Sequence, residues 1–124
     1  MKISIQEFLK KLPLPPTSNW PQGVWDVEGF RHGSMSLVLF APNHKDYQTY
    51  HDRDELYVVV KGSGIFVKEE SRFEFSAGDA LFVAAGISHH FENFTNDLTL
   101  WAIFWGPKGG ENDTSQRTDQ LYAG

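Results

Sequence analysis

From Met35 to Trp105 the chain is a succession of short segments rich in β-branched and aromatic residues, each bounded by turn-forming residues. No segment with the helical period of 3.6 residues separates them. Short strands at such close spacing are typical of an antiparallel sandwich or barrel, whereas a βαβ fold needs helices between its strands. The sequence therefore predicts an all-β domain with strands at residues 35–40, 56–60, 64–68, 72–75, 80–83, 89–94 and 98–105.

The two ends of the chain depart from this pattern. Apolar residues in the segment 3–12 partly follow a helical stripe, and Ser4 followed by Glu7 resembles a capping box. The prolines that begin at Pro13 remove backbone donors and must end this helix. We expect three parts. Residues 1–34 form a short helix and an extended arm packed on the barrel, residues 35–105 form the barrel, and residues 106–124 form a polar, glycine-rich tail.

Composition argues against several classes of function. The formal net charge is -5 and no cluster of Lys or Arg is present, so nucleic acid is not an expected partner. No apolar run approaches the roughly 20 residues that span a bilayer, so we expect no membrane partner and a cytoplasmic protein. Cysteine is absent, so any metal must be bound by nitrogen or oxygen atoms. Nucleophile-elbow, P-loop and dinucleotide-binding motifs are absent as well.

Two stretches of the chain resemble the two motifs of the cupin family. The first family motif reads G-x5-H-x-H-x3-E-x6-G, and its second histidine, its glutamate and its final glycine are matched by His51, Glu55 and Gly62. The second motif reads G-x5-P-x-G-x2-H-x3-N, and every position except the proline is matched, by Gly78, Gly86, His89 and Asn93. The sequence is therefore similar to small single-domain cupins over most of the segment 35–105.

The chain also departs from those motifs at three positions. Asn43 replaces the leading glycine, Thr49 replaces the first histidine and Ala84 replaces the proline. The change at Thr49 removes one of the four metal ligands that the family usually has. Gln48 or a water molecule could fill that position.

The resemblance implies a cupin double-stranded β-helix, which is a jelly-roll barrel, preceded here by a short N-terminal helix. It also implies one divalent metal ion at the barrel centre, bound by His51, Glu55 and His89. Two imidazoles and one carboxylate can occupy one face of such an ion and leave the other positions open. These ligands suit Fe, Mn, Ni or Zn and do not determine which of the four is bound. Our own expectation is Fe or Mn.

Strand parity places further side chains around this predicted site. Because alternate residues of a strand face opposite sides, His89 and His90 should point apart, which leaves only His89 as a ligand. Tyr57 shares the face of Glu55 and should lie beside the metal. Glu55 and Tyr57 are accordingly the candidate catalytic residues.

Two functions from different classes remain open. In the first, the chain is a metal-dependent enzyme acting on a small molecule, with dioxygenase-like chemistry favoured over isomerase or lyase chemistry. In the second, it is a non-enzymatic small-molecule-binding or regulatory cupin whose metal site is degraded at Thr49. In either case we expect a homodimer, because small cupins resemble one another in pairing their sheets and the segment 98–105 is apolar on both faces.

Overall fold

The computed structural model describes residues 1–112 of the chain, and the part of the predicted tail from residue 113 onward lies outside them. No helix among residues 1–112 is long and apolar enough to cross a membrane. The described elements are one short helix and eight strands, namely α1 (Ile5–Leu9), β1 (Asp26–His32), β2 (Met35–Phe40), β3 (Asp54–Lys61), β4 (Ser63–Lys68), β5 (Ser71–Ser76), β6 (Ala80–Val83), β7 (His89–Glu92) and β8 (Thr99–Trp105).

The strands form two antiparallel sheets. One has five strands in the order β1-β2-β8-β3-β6, and the other has three in the order β5-β4-β7. Aromatic side chains from the two sheets meet in a shared core, where the ring of Tyr57 packs edge-on against Phe66 and Phe91, at centroid distances of 5.9 and 5.0 Å. The predicted all-β jelly-roll fold with a short N-terminal helix is confirmed.

The faces of β3 follow the predicted alternation. Glu55, Tyr57 and Val59 are each about 1% exposed and point into the core. The alternate residues point outward, and Val60 at the end of the strand is 39% exposed. A one-residue shift of this strand would bring Glu55 to the outside, so burial of this face fixes the position of the candidate ligand.

The structure differs from the prediction in the N-terminal region. The helix covers only Ile5–Leu9, and the Ser4 side chain makes no capping hydrogen bond. Strand β1 was not predicted, since we expected an extended arm there. Among residues 1–112 this strand lies at the sheet edge and pairs with β2 alone, and its register shifts between Glu28 and Phe30. An edge strand with one irregularity and several charged residues lacks the clean apolar alternation that reveals a strand in a sequence.

The turn between β3 and β4 requires glycine at its centre. Gly62 has φ +93°, and a Cβ atom there would lie 2.6 Å from Thr95 Oγ1 and 2.8 Å from Leu98 Cα. Gly78 has a similar φ of +97°, but a Cβ atom there would meet nothing within 4 Å. The two positions therefore share the backbone strain that a side chain would bring and differ only in the clash.

We expect Gly62→Ala to destabilise the fold more than Gly78→Ala. Positive φ costs an alanine about 1–2 kcal/mol at either site. Overpacking against Thr95 and Leu98 adds about 1–3 kcal/mol at Gly62 alone. Urea unfolding of both variants measures the difference, and equal losses would show that the turn next to Gly62 relaxes freely.

Candidate metal centre

Three elements bring the predicted ligands together. Glu55 lies near the start of β3, His89 begins β7, and His51 lies in the loop that precedes β3. Two backbone hydrogen bonds join that loop to the connection between β6 and β7: Gly86 N–H donates to the His51 carbonyl at 2.7 Å, and His89 N–H donates to the Thr49 carbonyl at 2.6 Å. The two histidines are thus held side by side although they are far apart in sequence.

One donor atom from each of His51, Glu55 and His89 lies within 4.8 Å of the other two, an arrangement that could hold a metal ion. Glu55 Oε1 is 3.1 Å from His89 Nε2 and 3.8 Å from His51 Nε2. The side chains of His89 and Glu55 are buried, whereas that of His51 is 36% exposed. Of the three side chains, that of His51 is therefore the one in contact with solvent.

The hydrogen bonds around His89 decide which of its nitrogens can act as a ligand. Its Nδ1 lies 2.8 Å from the Ile87 carbonyl, which can only accept, so Nδ1 carries the hydrogen. In the neutral ring, Nε2 then has a lone pair directed at Glu55 Oε1. That oxygen is buried and has no hydrogen-bond donor among the described residues. Two electron-rich atoms facing each other need a cation between them, which fits a divalent metal or a proton on His89.

Gln48 occupies the side of the cluster where the family's first histidine is missing. Its Oε1 is 3.0 Å from His51 Nε2 and accepts a hydrogen bond from the Tyr57 hydroxyl at 2.9 Å. Asp46 fixes this orientation, because its carboxylate accepts from both the backbone N–H and the side-chain amide of Gln48. Thr49 itself is exposed and reaches the cluster only through its carbonyl.

The model of the Cupin domain family matches residues 36–105 of the chain. The chain belongs to the cupin family. It is 30% identical over 84 residues to an uncharacterised protein of Streptomyces coelicolor, in a match that covers 66% of this cupin and 80% of that protein.

Solved structures share the fold at low identity. The EutQ protein of Clostridium difficile superposes with a TM-score of 0.61 at 14% identity, covering 88% of this cupin and 82% of that chain. The DMSP lyase DddQ from Ruegeria pomeroyi superposes with a TM-score of 0.58 at 18% identity, covering 65% of this cupin and 46% of that chain. At such identities the likeness extends to the fold alone.

Charge and burial change the proton affinities of the clustered groups. Burial lowers the pKa of His51, and the charge of Glu55 only partly opposes this. Burial acts in the same direction on His89, but the close carboxylate of Glu55, the hydrogen bond to the Ile87 carbonyl and the charge of Asp46 raise the pKa of His89 overall. Burial, reinforced by the same two carboxylates, raises the pKa of Tyr57 well above its ordinary value. Tyr57 therefore keeps its hydroxyl proton, and a metal would compete with a proton for His89.

A cavity of about 690 Å³ opens beside the cluster. His51, Glu55, Tyr57 and Gln48 form part of its wall, so a molecule in the cavity could reach the cluster directly. This volume lies in the usual range for small-molecule sites.

The remaining histidine of β7 lies on the opposite face, as its parity predicts. His90 Nε2 is 2.7 Å from Glu92 Oε2, and Glu92 also pairs with Arg72 at 2.8 Å. His44 lies in an exposed loop with φ 67°. Neither of these histidines belongs to the cluster.

Asp46 is the residue near the site that the sequence motifs did not indicate. Besides orienting Gln48, its carboxylate accepts the backbone N–H of Phe91 at 2.9 Å, and the residue is only 6% exposed. It thus ties the loop that carries Gln48 and His51 to β7. Asp46 occupies a position that the first motif leaves unspecified, which explains why comparison with the family motifs passes over it.

We expect Asp46→Ala to lower the free energy of unfolding by about 2–4 kcal/mol, since each buried donor left unpaired costs about 1–3 kcal/mol. Asp79→Ala is the matched control, because Asp79 also accepts a backbone N–H, from Ser76 at 2.8 Å, but is exposed. Urea unfolding compares the two. A loss at Asp46 no larger than that at Asp79 would contradict the role assigned to this carboxylate.

Proposed function

We propose that this cupin is a metal-dependent enzyme acting on a small molecule, with one divalent ion held by His51, Glu55 and His89. The observation that carries the proposal is the buried Oε1 atom of Glu55, which faces the imidazole nitrogens and has no hydrogen-bond donor among residues 1–112. Isolated buried charge is costly, and a metal ion among these atoms removes that cost. The adjoining cavity supplies space for a ligand.

The donor set limits the chemistry. Two imidazoles and one carboxylate suit Fe, Mn, Ni or Zn, and we favour Fe or Mn. When bound, such an ion supplies Lewis-acid or oxygen-activating chemistry to a small molecule in the cavity. Dioxygenase-like activity leads this proposal, followed by isomerase or lyase activity.

The chain's own residues have separate roles in this proposal. Glu55 contributes its buried oxygen as a ligand, and the Ile87 carbonyl keeps the hydrogen of His89 on Nδ1 so that Nε2 stays available. Tyr57 lines the cavity and lies 3.1 Å from His89 Nε2, and its hydroxyl could donate to an oxygen of the substrate if it released its hydrogen bond to Gln48 Oε1. Gln48 Oε1 is a further ligand candidate at the position that Thr49 leaves empty.

A second candidate is a non-enzymatic small-molecule-binding cupin. The contact between His51 Nε2 and Gln48 Oε1 at 3.0 Å favours it, because this hydrogen bond is satisfied without a metal. In that case His89 carries a second proton and pairs with Glu55. Metal content discriminates between the two candidates.

We expect His51→Ala and His89→Ala to abolish metal binding, since each removes one of three protein ligands. His90→Ala and His44→Ala should keep a full complement of metal, because both side chains lie away from the cluster. Elemental analysis by plasma mass spectrometry, on protein prepared without a histidine tag or chelator, measures the stoichiometry. Metal loss in His90→Ala equal to that in His89→Ala would contradict the assigned ligands.

The enzymatic part of the proposal has a separate test. Fe(II)-loaded protein is screened for oxygen uptake with small molecules, with His51→Ala as the control. Uptake that depends on His51 supports a dioxygenase-like enzyme. If the metal-loaded protein consumes no oxygen, isomerase or lyase activity becomes the leading candidate. If the wild-type protein binds none of the four metals, the non-enzymatic small-molecule-binding cupin is favoured.

We also propose that the protein forms a homodimer through the outer face of the five-stranded sheet. The strand register places four apolar residues in one row across that face, in the order Leu37, Ile103, Leu56 and Phe82. Phe82 is 50% exposed, and its ring lies 6.1 Å from that of Trp105. The other three residues of the row are partly exposed. A contiguous apolar surface that includes an exposed aromatic residue favours a protein interface.

We expect Phe82→Glu to convert a dimer into a monomer, because it places a charge at the exposed end of this row. Phe73→Glu is the control, since Phe73 is 41% exposed but lies on the other sheet. Light scattering coupled to size-exclusion chromatography gives the mass. A monomeric wild type, or equal dissociation in both variants, would rule out this interface.

A further inference from the structure

The cavity beside the metal cluster contains a second carboxylate that has no assigned role. Asp26, the first residue of β1, is half-buried and lines the cavity together with Glu55. No hydrogen bond to the Asp26 carboxylate is present among the described residues. Burial and the like charge of Glu55 raise the pKa of Asp26.

Asp26 pairs with Phe40 across the sheet, and aromatic residues continue from Phe40 along the cavity wall. Trp20 packs edge-on against Tyr47 and Phe40, with ring centroids 5.5 and 6.3 Å apart, and all three rings line the cavity. No Lys or Arg of residues 1–112 lines it. Lys45 lies 5.0 Å from the centroid of the Tyr47 ring but is not part of the cavity wall.

We propose that the end of the cavity formed by Asp26, Trp20 and Tyr47 binds the cationic nitrogen, primary or quaternary, of a small ligand. The proposal rests on the function proposed above only for the ligand's other end, which would face the metal cluster. A carboxylate beside aromatic ring faces attracts a cation through both its charge and the ring quadrupoles. The same surroundings disfavour an anionic group such as a phosphate.

The position of Asp26 in the sheet allows one ligand to span both ends. Strand β1 is separated from β3 by β2 and β8, which makes three steps across the sheet. At about 4.8 Å per step, the backbones of β1 and β3 are about 14 Å apart before the sheet curves. Asp26 is also offset along the strands, because its row of paired residues meets β3 at Val59 rather than at Glu55. Both carboxylates nevertheless line one cavity, which leaves room for a ligand with a cationic nitrogen at one end and an oxygen donor at the other.

Two of the three residues that form this end of the cavity, Trp20 and Asp26, lie outside the family match, which covers 36–105. A backbone bridge between Leu14 and Val24 closes the loop that carries Trp20. Within the loop, the Trp20 N–H donates to Thr17 Oγ1 at 3.0 Å, and the Trp20 carbonyl accepts from Thr17 N–H at 3.0 Å. The ring is therefore held in place before any ligand arrives, which favours binding.

Two pairs of probes of matched shape test the charge preference. Choline is compared with 3,3-dimethylbutan-1-ol, and 3-aminopropan-1-ol with butan-1-ol, each by NMR titration of the metal-free and the metal-loaded protein. We expect the cation of at least one pair to bind roughly tenfold more tightly than its neutral counterpart. This preference should disappear in Asp26→Asn and persist in Glu28→Gln, which removes a charge from the exposed face of the same strand.

The outcomes separate this proposal from the metal assignment. Equal binding within both pairs, or a preference that survives in Asp26→Asn, overturns the cation site. If Asp26→Asn fails to fold, Trp20→Leu takes its place, and an unchanged choline preference in that variant overturns the site. Metal content is measured on the same samples, so a cation preference in protein that binds no metal would refute the proposed function and keep this inference.

Discussion

The site depends on one buried carboxylate oxygen. Glu55 Oε1 sits inside the barrel, 3.1 Å from an imidazole nitrogen whose hydrogen is committed to the other side of the ring. A charge so placed needs a compensating cation, since the part of the chain that the structure describes supplies no hydrogen-bond donor to it. The alternation of side chains along β3 fixes the inward orientation of Glu55, because the same parity buries Tyr57 and Val59. The fold therefore holds Glu55 in a position that only a proton or a metal ion can complete.

A chain of polar contacts links the residues that surround this oxygen. Asp46 orients Gln48, Gln48 faces His51 and Tyr57, and Tyr57 lies against His89. Each contact fixes the direction of the next polar group, which is the property that a pre-organised site needs. The position of the family's first histidine is filled although Thr49 faces solvent, because the side chain of Gln48 points toward the cluster instead.

The barrel and its candidate ligands could be predicted because they rest on local rules. Strand parity placed Glu55 and Tyr57 on one face, and motif spacing selected His89 over His90, as the structure has them. Strand β1 could not be predicted, since an edge strand with a register shift has no clear alternation. Asp46, Trp20 and Asp26 could not be placed either, because their partners lie across loops whose paths the sequence pattern does not give. The division into arm, barrel and tail remains a prediction.

The bridge between Leu14 and Val24 has a consequence for how such a protein can diversify. The loop it closes contributes Trp20 to the cavity but supplies none of the three clustered donor atoms. Substitutions in the loop can therefore alter what the cavity accepts while the cluster inside the barrel stays intact. The loop at the cavity rim and the clustered donor atoms thus lie in separate stretches of this chain, so changes among the nine residues between Leu14 and Val24 can reshape the rim alone.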